Sequence, residues 1–131
     1  MTNNARLVLG IVIAAAAAIG TVAVSETISH RLLDFPEFTE ATKGTYVATM
    51  AASAKWAVIF GWALASFVGA FVGTKVSRYR HLVIAAVASS VLIASIILNA
   101  MPIPHPIWMI ALGIIAVLGM AWLGARLAIR T

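Results

Sequence analysis

Few side chains in this sequence could do chemistry, and they sit at the edges of long apolar runs. Glu26 and His30 are four residues apart, a spacing that puts both on one face where the chain is helical. A carboxylate beside an imidazole can relay a proton or hold a cation. Asn99 closes another apolar run, and His105 follows in the corner Met101-Pro102-Ile103-Pro104-His105-Pro106. Glu26, His30, Asn99 and His105 therefore form the candidate polar or ion site. A haem iron can take two imidazoles, and His30 with His105 could supply them. Metal sites usually draw three or four ligands; the chain has no cysteine and four acids, so neither a metal nor another cofactor is expected. Glu26 also has a plainer account, in which it lies past its apolar run and is wetted at the interface beside Ser29. His81 follows Arg80 and reads as a side chain reaching for lipid headgroups. No phosphate-cradling glycine loop, HExxH, GxSxG or Ser/His/Asp set is present, so the chain is not expected to be an enzyme.

The elements that must position these residues follow from composition. Of 131 residues, 63% are hydrophobic and only 10% charged, with a mean hydropathy of +1.04. A soluble domain carries about a quarter charged residues because its surface must be wetted. Composition therefore excludes a soluble globular domain, a disordered chain and a disulfide scaffold. Four uncharged runs, 7–25, 56–74, 82–100 and 107–125, are each nineteen residues long. As helices they rise roughly 28 Å at about 1.5 Å per residue, which matches a hydrocarbon core of about 30 Å. They lack the alternation of barrel strands, so helices are the expected form. The first run exceeds the ~7–15 residues of a signal-peptide core, and it reads as a retained helix that doubles as an insertion signal.

Charge orders the connections. Arg6, Lys75, Arg78, Arg80, Arg126 and Arg130 fall on one side with no acid, whereas Arg31, Lys43 and Lys55 share the other side with all four acids. Basic residues stay in the cytoplasm, so both termini are expected there. That bias accounts for the net charge of +5 without nucleic acid as a partner. The link 26–55 is expected to form an outer loop, in which Tyr46 to Trp56 has helix-forming composition and Glu40 or Thr39 could pair with Lys43 on a helix surface. Trp56, Trp108 and Tyr46 near one boundary, with Tyr79 and Trp122 near the other, read as an aromatic belt of interface anchors.

Gly61, Ala65, Gly69 and Gly73 recur at four-residue intervals in the second span. Small residues let membrane helices approach closely, so this stripe is either internal packing or a face for a partner. Ser95 and Asn99, one turn apart, could bond across to another helix, and Asn99 could cap its own. The expected architecture is an all-α, four-transmembrane-helix bundle, antiparallel, forming a single membrane domain.

The segment WALASFVGAFVG (62–73) and the stretch NAMPIPHPIWMIALGIIAVLGMAWLGARLA (99–128) resemble an uncharacterised family of small bacterial four-transmembrane-helix proteins. Members carry an Ala-Leu-Gly-x-x-Val-Gly-Ala segment, an Asn-x-Met-x-Pro-x-Pro-x-Trp corner and a fourth helix ending Met-Ala-x-Leu-Gly-Gly. The resemblance implies the fold and a bacterial inner membrane. Trp62 stands where that pattern has a His, and Ala65 where it has a Gly, so no polar chemistry from the second span is implied. The function expected is a non-catalytic accessory, scaffolding or partner-binding role, with the lipid bilayer and another membrane protein or a second copy as partners. The alternative is a small oligomeric transporter or channel with Glu26, His30 and Asn99 near its outer mouth.

Overall fold

The computed structural model describes residues 1–131 and is entirely helical: α1 (Asn3–Leu32), α2 (Tyr46–Thr49), α3 (Ala52–Ser77), α4 (His81–Ala100) and α5 (Ile107–Arg130). The four long helices are long and apolar enough to cross a membrane, the build of a multi-pass membrane protein. Each contains one of the four runs identified in the sequence, with different ends.

The largest difference is at α1. It continues seven residues past Ser25 to Leu32, carrying Glu26 and His30 with it, and the connection shrinks from 26–55 to 33–51. No Gly or Pro interrupts the chain before Pro36, the Leu33 N–H still bonds to the Ser29 carbonyl, and His30 and Arg31 occupy the last turn, where cations suit the negative end of the helix dipole. The helix expected over 46–56 breaks in two instead. Met50 (ψ 142°) and Ala51 (ψ 154°) are extended. Thr49 Oγ1 donates to the carbonyls of Thr45 and Tyr46, and Lys55 Nζ donates to the Ala48 carbonyl, so side chains take up the acceptors that end α2. Lys43 does pair with Glu40, at 3.6 Å, but in a turn.

Between α3 and α4 the chain turns through Arg78 (φ 54°) and Arg80 (φ 49°), both left-handed. Glycine would adopt that backbone at lower cost. The Ser77 hydroxyl steadies the turn by donating to the Tyr79 carbonyl at 2.8 Å.

α3 is the central helix and packs against α1, α4 and α5. Half of its most apolar window is buried, against 17% for α1, so α3 supplies the core while α1 presents most of its surface outward. The α1–α3 seam is made of small residues. Gly61 faces Ser25, Gly69 faces Ala14 and Ala18, and Gly73 faces Gly10 and Ala14; Ala14, Ala18 and Ala65 have no exposed surface. A Cβ on Gly73 would lie 2.6 Å from the Ala14 Cβ and 2.7 Å from the Gly10 carbonyl oxygen. The stripe of Gly61, Ala65, Gly69 and Gly73 is thus covered within the chain by α1.

Two apolar clusters fill the interior. One joins Ala14, Ala70, Ile84, Ala85, Ala88, Ala121 and Ala125, with Leu7 and Ile11 against it. The other holds Trp62, Leu92, Ile96, Met109 and Val117 among larger side chains. Between them, the buried Ser66 hydroxyl donates to the Val117 carbonyl at 2.7 Å, the one side-chain hydrogen bond joining two long helices. Ser95, expected to reach a neighbour, bonds to its own Val91 carbonyl. Asn99 closes the corner with its main-chain carbonyl, which accepts from the Ile103 N–H, while its amide side chain makes no hydrogen bond.

Candidate functional site

The end of α1, the short α2, the first turns of α3, the end of α4 and the proline corner enclose a cavity of about 420 Å³. Glu26, His30, Asn99 and His105 all line it. Residues far apart in sequence are gathered because α1 overruns its apolar stretch by two turns and because Pro102, Pro104 and Pro106 stop α4 and fold His105 back.

Glu26 and His30 share a face, yet their bond is not the expected one. His30 Nδ1 lies 2.8 Å from the main-chain carbonyl of Glu26. A carbonyl can only accept, so Nδ1 carries the proton and donates. Nε2 lies 3.3 Å from the Tyr46 hydroxyl, and the two share a hydrogen bond. The Glu26 carboxylate is left with neither hydrogen bond nor ion pair. His105 is tethered in the same way, with Nδ1 donating to the Ile103 carbonyl at 2.6 Å.

Aromatic rings build the walls. Phe35 stacks on His30 with centroids 4.0 Å apart, and Phe38 meets Tyr46 edge-on at 5.1 Å. Burial, and then the Glu26 carboxylate, raise the Tyr46 phenol above its ordinary value, since both disfavour a phenolate. Trp62, only 8% exposed, forms the floor, with its ring centroid 6.1 Å from that of His105. The indole lies so close to α5 that a Cβ on Gly113 would sit 2.7 Å from its ring. No three His, Cys, Asp or Glu side chains converge in an arrangement that could hold a metal ion.

A second space of about 260 Å³ runs between α1 and α4 and shares Val22, Glu26, Trp62 and Asn99 with the first. Ile19, Leu92, Ser95 and Ile96 carry it down the helices, so it forms a side branch beside the chamber.

The remaining candidates lie elsewhere. Trp56 and Trp108 pair at 5.8 Å at the edge of the same end; Tyr79 and Trp122 stand under Arg80 and Arg126 at 5.2 and 4.9 Å. All four anchor rings are at least 40% exposed. Sequence reasoning missed the walls: Tyr46 read as a belt residue and Trp62 as a departure from a pattern. One signal was available for Trp62, which lies six residues inside its apolar run, too deep for a belt. No family model, curated protein or solved structure matches this chain.

Proposed function

We propose that this chain is a non-catalytic membrane protein that binds a small molecule in the chamber of Glu26, His30, Tyr46, Trp62, Asn99 and His105, as the binding unit of a small oligomeric transporter. The observation that carries this reading is the convergence of four separate polar residues on one aromatic-walled cavity of about 420 Å³, within the range of about 300–1,000 Å³ used for drug-sized ligands. The chamber lies at one end of the helices, so passage across the bilayer requires a second copy. In this reading the helices are antiparallel neighbours in a bacterial inner membrane with both termini cytoplasmic. Support comes from the pairing of Gly10 with Ser77 and Gly61 with Ser25, from the basic turn 75–80, and from the resemblance of residues 62–128 to bacterial proteins.

An accessory or scaffolding role is the second reading. Gly119 favours it: a Cβ there meets nothing within 4 Å, and its neighbours Ile115, Leu118 and Trp122 are exposed, leaving a place on α5 for another helix.

Native mass spectrometry of the chain, extracted mildly from its own membranes, tests both. A small-molecule adduct present on the wild type and absent from Tyr46→Ala supports binding in the chamber. A stoichiometric protein partner, with no adduct, replaces that reading with the accessory one. Single cysteines placed at Lys43 and Thr131, in a chain with none of its own, report orientation through labelling from one side only.

A further inference from the structure

We infer that the chamber takes a lipophilic organic cation, which reaches it sideways from the bilayer between α1 and α4 and rests its charge against the Glu26 carboxylate. This inference depends on the binding reading above and names its ligand class.

Charge comes first. Glu26 is the sole acid among the residues lining the chamber or its side branch, and neither space has a Lys or Arg in its walls. The carboxylate has no partner inside the chain, because both imidazoles spend their Nδ1 protons on main-chain carbonyls. Arg31 lines a shallow groove beside the chamber together with Glu26 and His30, but only Lys43 and Glu40 reach ion-pair distance anywhere in the molecule. An anion would find no countercharge here. A neutral apolar guest would cover the carboxylate without pairing it, which is costly.

The walls narrow the class further. Phe35, Phe38, Tyr46 and Trp62 surround the space with ring faces and edges, and aromatic faces attract cations, most strongly once water is excluded. An inorganic ion needs several oxygen or nitrogen ligands converging on one point, and no three His, Cys, Asp or Glu side chains converge. A cation that carries its own apolar groups suits these rings.

Access follows from how α1 and α4 meet. Leu7, Ile11 and Ala14 of α1 share one apolar cluster with Ile84, Ala85 and Ala88 of α4. Toward the chamber the two helices part around the branch lined by Ile19, Val22, Leu92 and Ile96. Those walls are apolar, so a lipid-soluble ion can slide from the bilayer to Glu26 and Asn99 without first crossing water.

The test uses two ions of nearly equal shape and opposite charge, tetraphenylphosphonium and tetraphenylborate. Each is titrated into nanodiscs that carry the full chain, with empty nanodiscs subtracted. The expected result is saturable binding of the phosphonium alone, weakened roughly tenfold or more by Glu26→Gln and largely kept by Glu26→Asp. Ser95→Trp, which fills the side branch, slows phosphonium association. Glu26 is exposed and unbonded, so its amide variant keeps the fold, and an unchanged helical circular dichroism spectrum verifies that. Saturable phosphonium binding indifferent to Glu26→Gln overturns the inference. Saturable borate binding lost in Tyr46→Ala also overturns it, while leaving the chamber a ligand site. Failure of both ions to saturate any site removes the inference, and an absent adduct in native mass spectrometry then removes the binding reading with it.

Discussion

At the Gly10–Ser77 end, α1 and α3 meet through Gly10, Ala14, Gly73 and Ser77 with backbone in reach of backbone, and Ile84 of α4 packs on Gly73. At the Glu26–His105 end Ser25 still lies close to Gly61, but around that contact the rings of Phe35, Tyr46 and Trp62 line a chamber. Both ends are built from the same three helices, so the difference lies in side-chain size and in the connection. Glycine and alanine let helices approach until their backbones touch. Large rigid rings carried on a short, broken helix cannot tile a space completely, so they leave room bounded by good contacts. Polar groups follow the same division. Thr74, at the closed end, has a hydroxyl that is buried and unpaired, whereas Glu26 and Asn99 are unpaired but exposed to whatever fills the chamber.

The closed end has the least room for change. Gly73→Leu should cost about 3 kcal/mol or more, read as the loss of helical circular dichroism in a titration of mixed micelles with dodecyl sulfate. Gly20→Ala, where a Cβ meets nothing within 4 Å, should raise that midpoint slightly instead, since alanine is the better helix former. Ser66→Ala, which removes the bond to the Val117 carbonyl, should cost about 1 kcal/mol in the same titration. Thr74→Val keeps the shape and deletes the unpaired hydroxyl, and should stabilise by about 1 kcal/mol.

At the open end the sharper variable is pH. The Tyr46 phenol is raised above its reference value of 10.0, so the folded chain holds that proton more tightly than the unfolded one. Its contribution to stability is complete below the ordinary phenol range and disappears as pH climbs through the folded-state value. Tyr46→Phe should flatten the alkaline loss of stability. Glu26→Gln should lessen it by a smaller amount, because burial is the larger cause. The smallest effect belongs to Glu26→Gln at neutral pH, expected within about 0.5 kcal/mol of the parent in the micelle titration; a larger cost would mean that the carboxylate is structural.

Much of this was legible in the sequence, for definite physical reasons. An uncharged run of bilayer length has one stable form, so the four long helices were readable from 7–25, 56–74, 82–100 and 107–125. Glu26, His30, Asn99 and His105 stood out because polar groups are scarce in such a chain. What bonds to them was not readable. The four-residue spacing put His30 beside Glu26, but it could not say that the main-chain carbonyl would take the imidazole N–H and leave the carboxylate free. Tyr46 was hidden because aromatics near a boundary already have a general reason to be there. Ser66 was hidden for the opposite reason: a serine in an apolar helix ordinarily bonds its own backbone, as Ser89 and Ser95 do, and only the close approach of α5 offers Val117 instead. The period of the α3 stripe announced a close neighbour without saying which helix it was.

Gly113 lines neither the chamber nor its side branch, yet the Trp62 ring that floors the chamber lies against it. The indole rests in the gap left by its missing Cβ. A single methyl at position 113 must displace the ring or α5. If the chamber binds a guest as proposed, the room open to that guest would be set from behind, by a residue it would not meet.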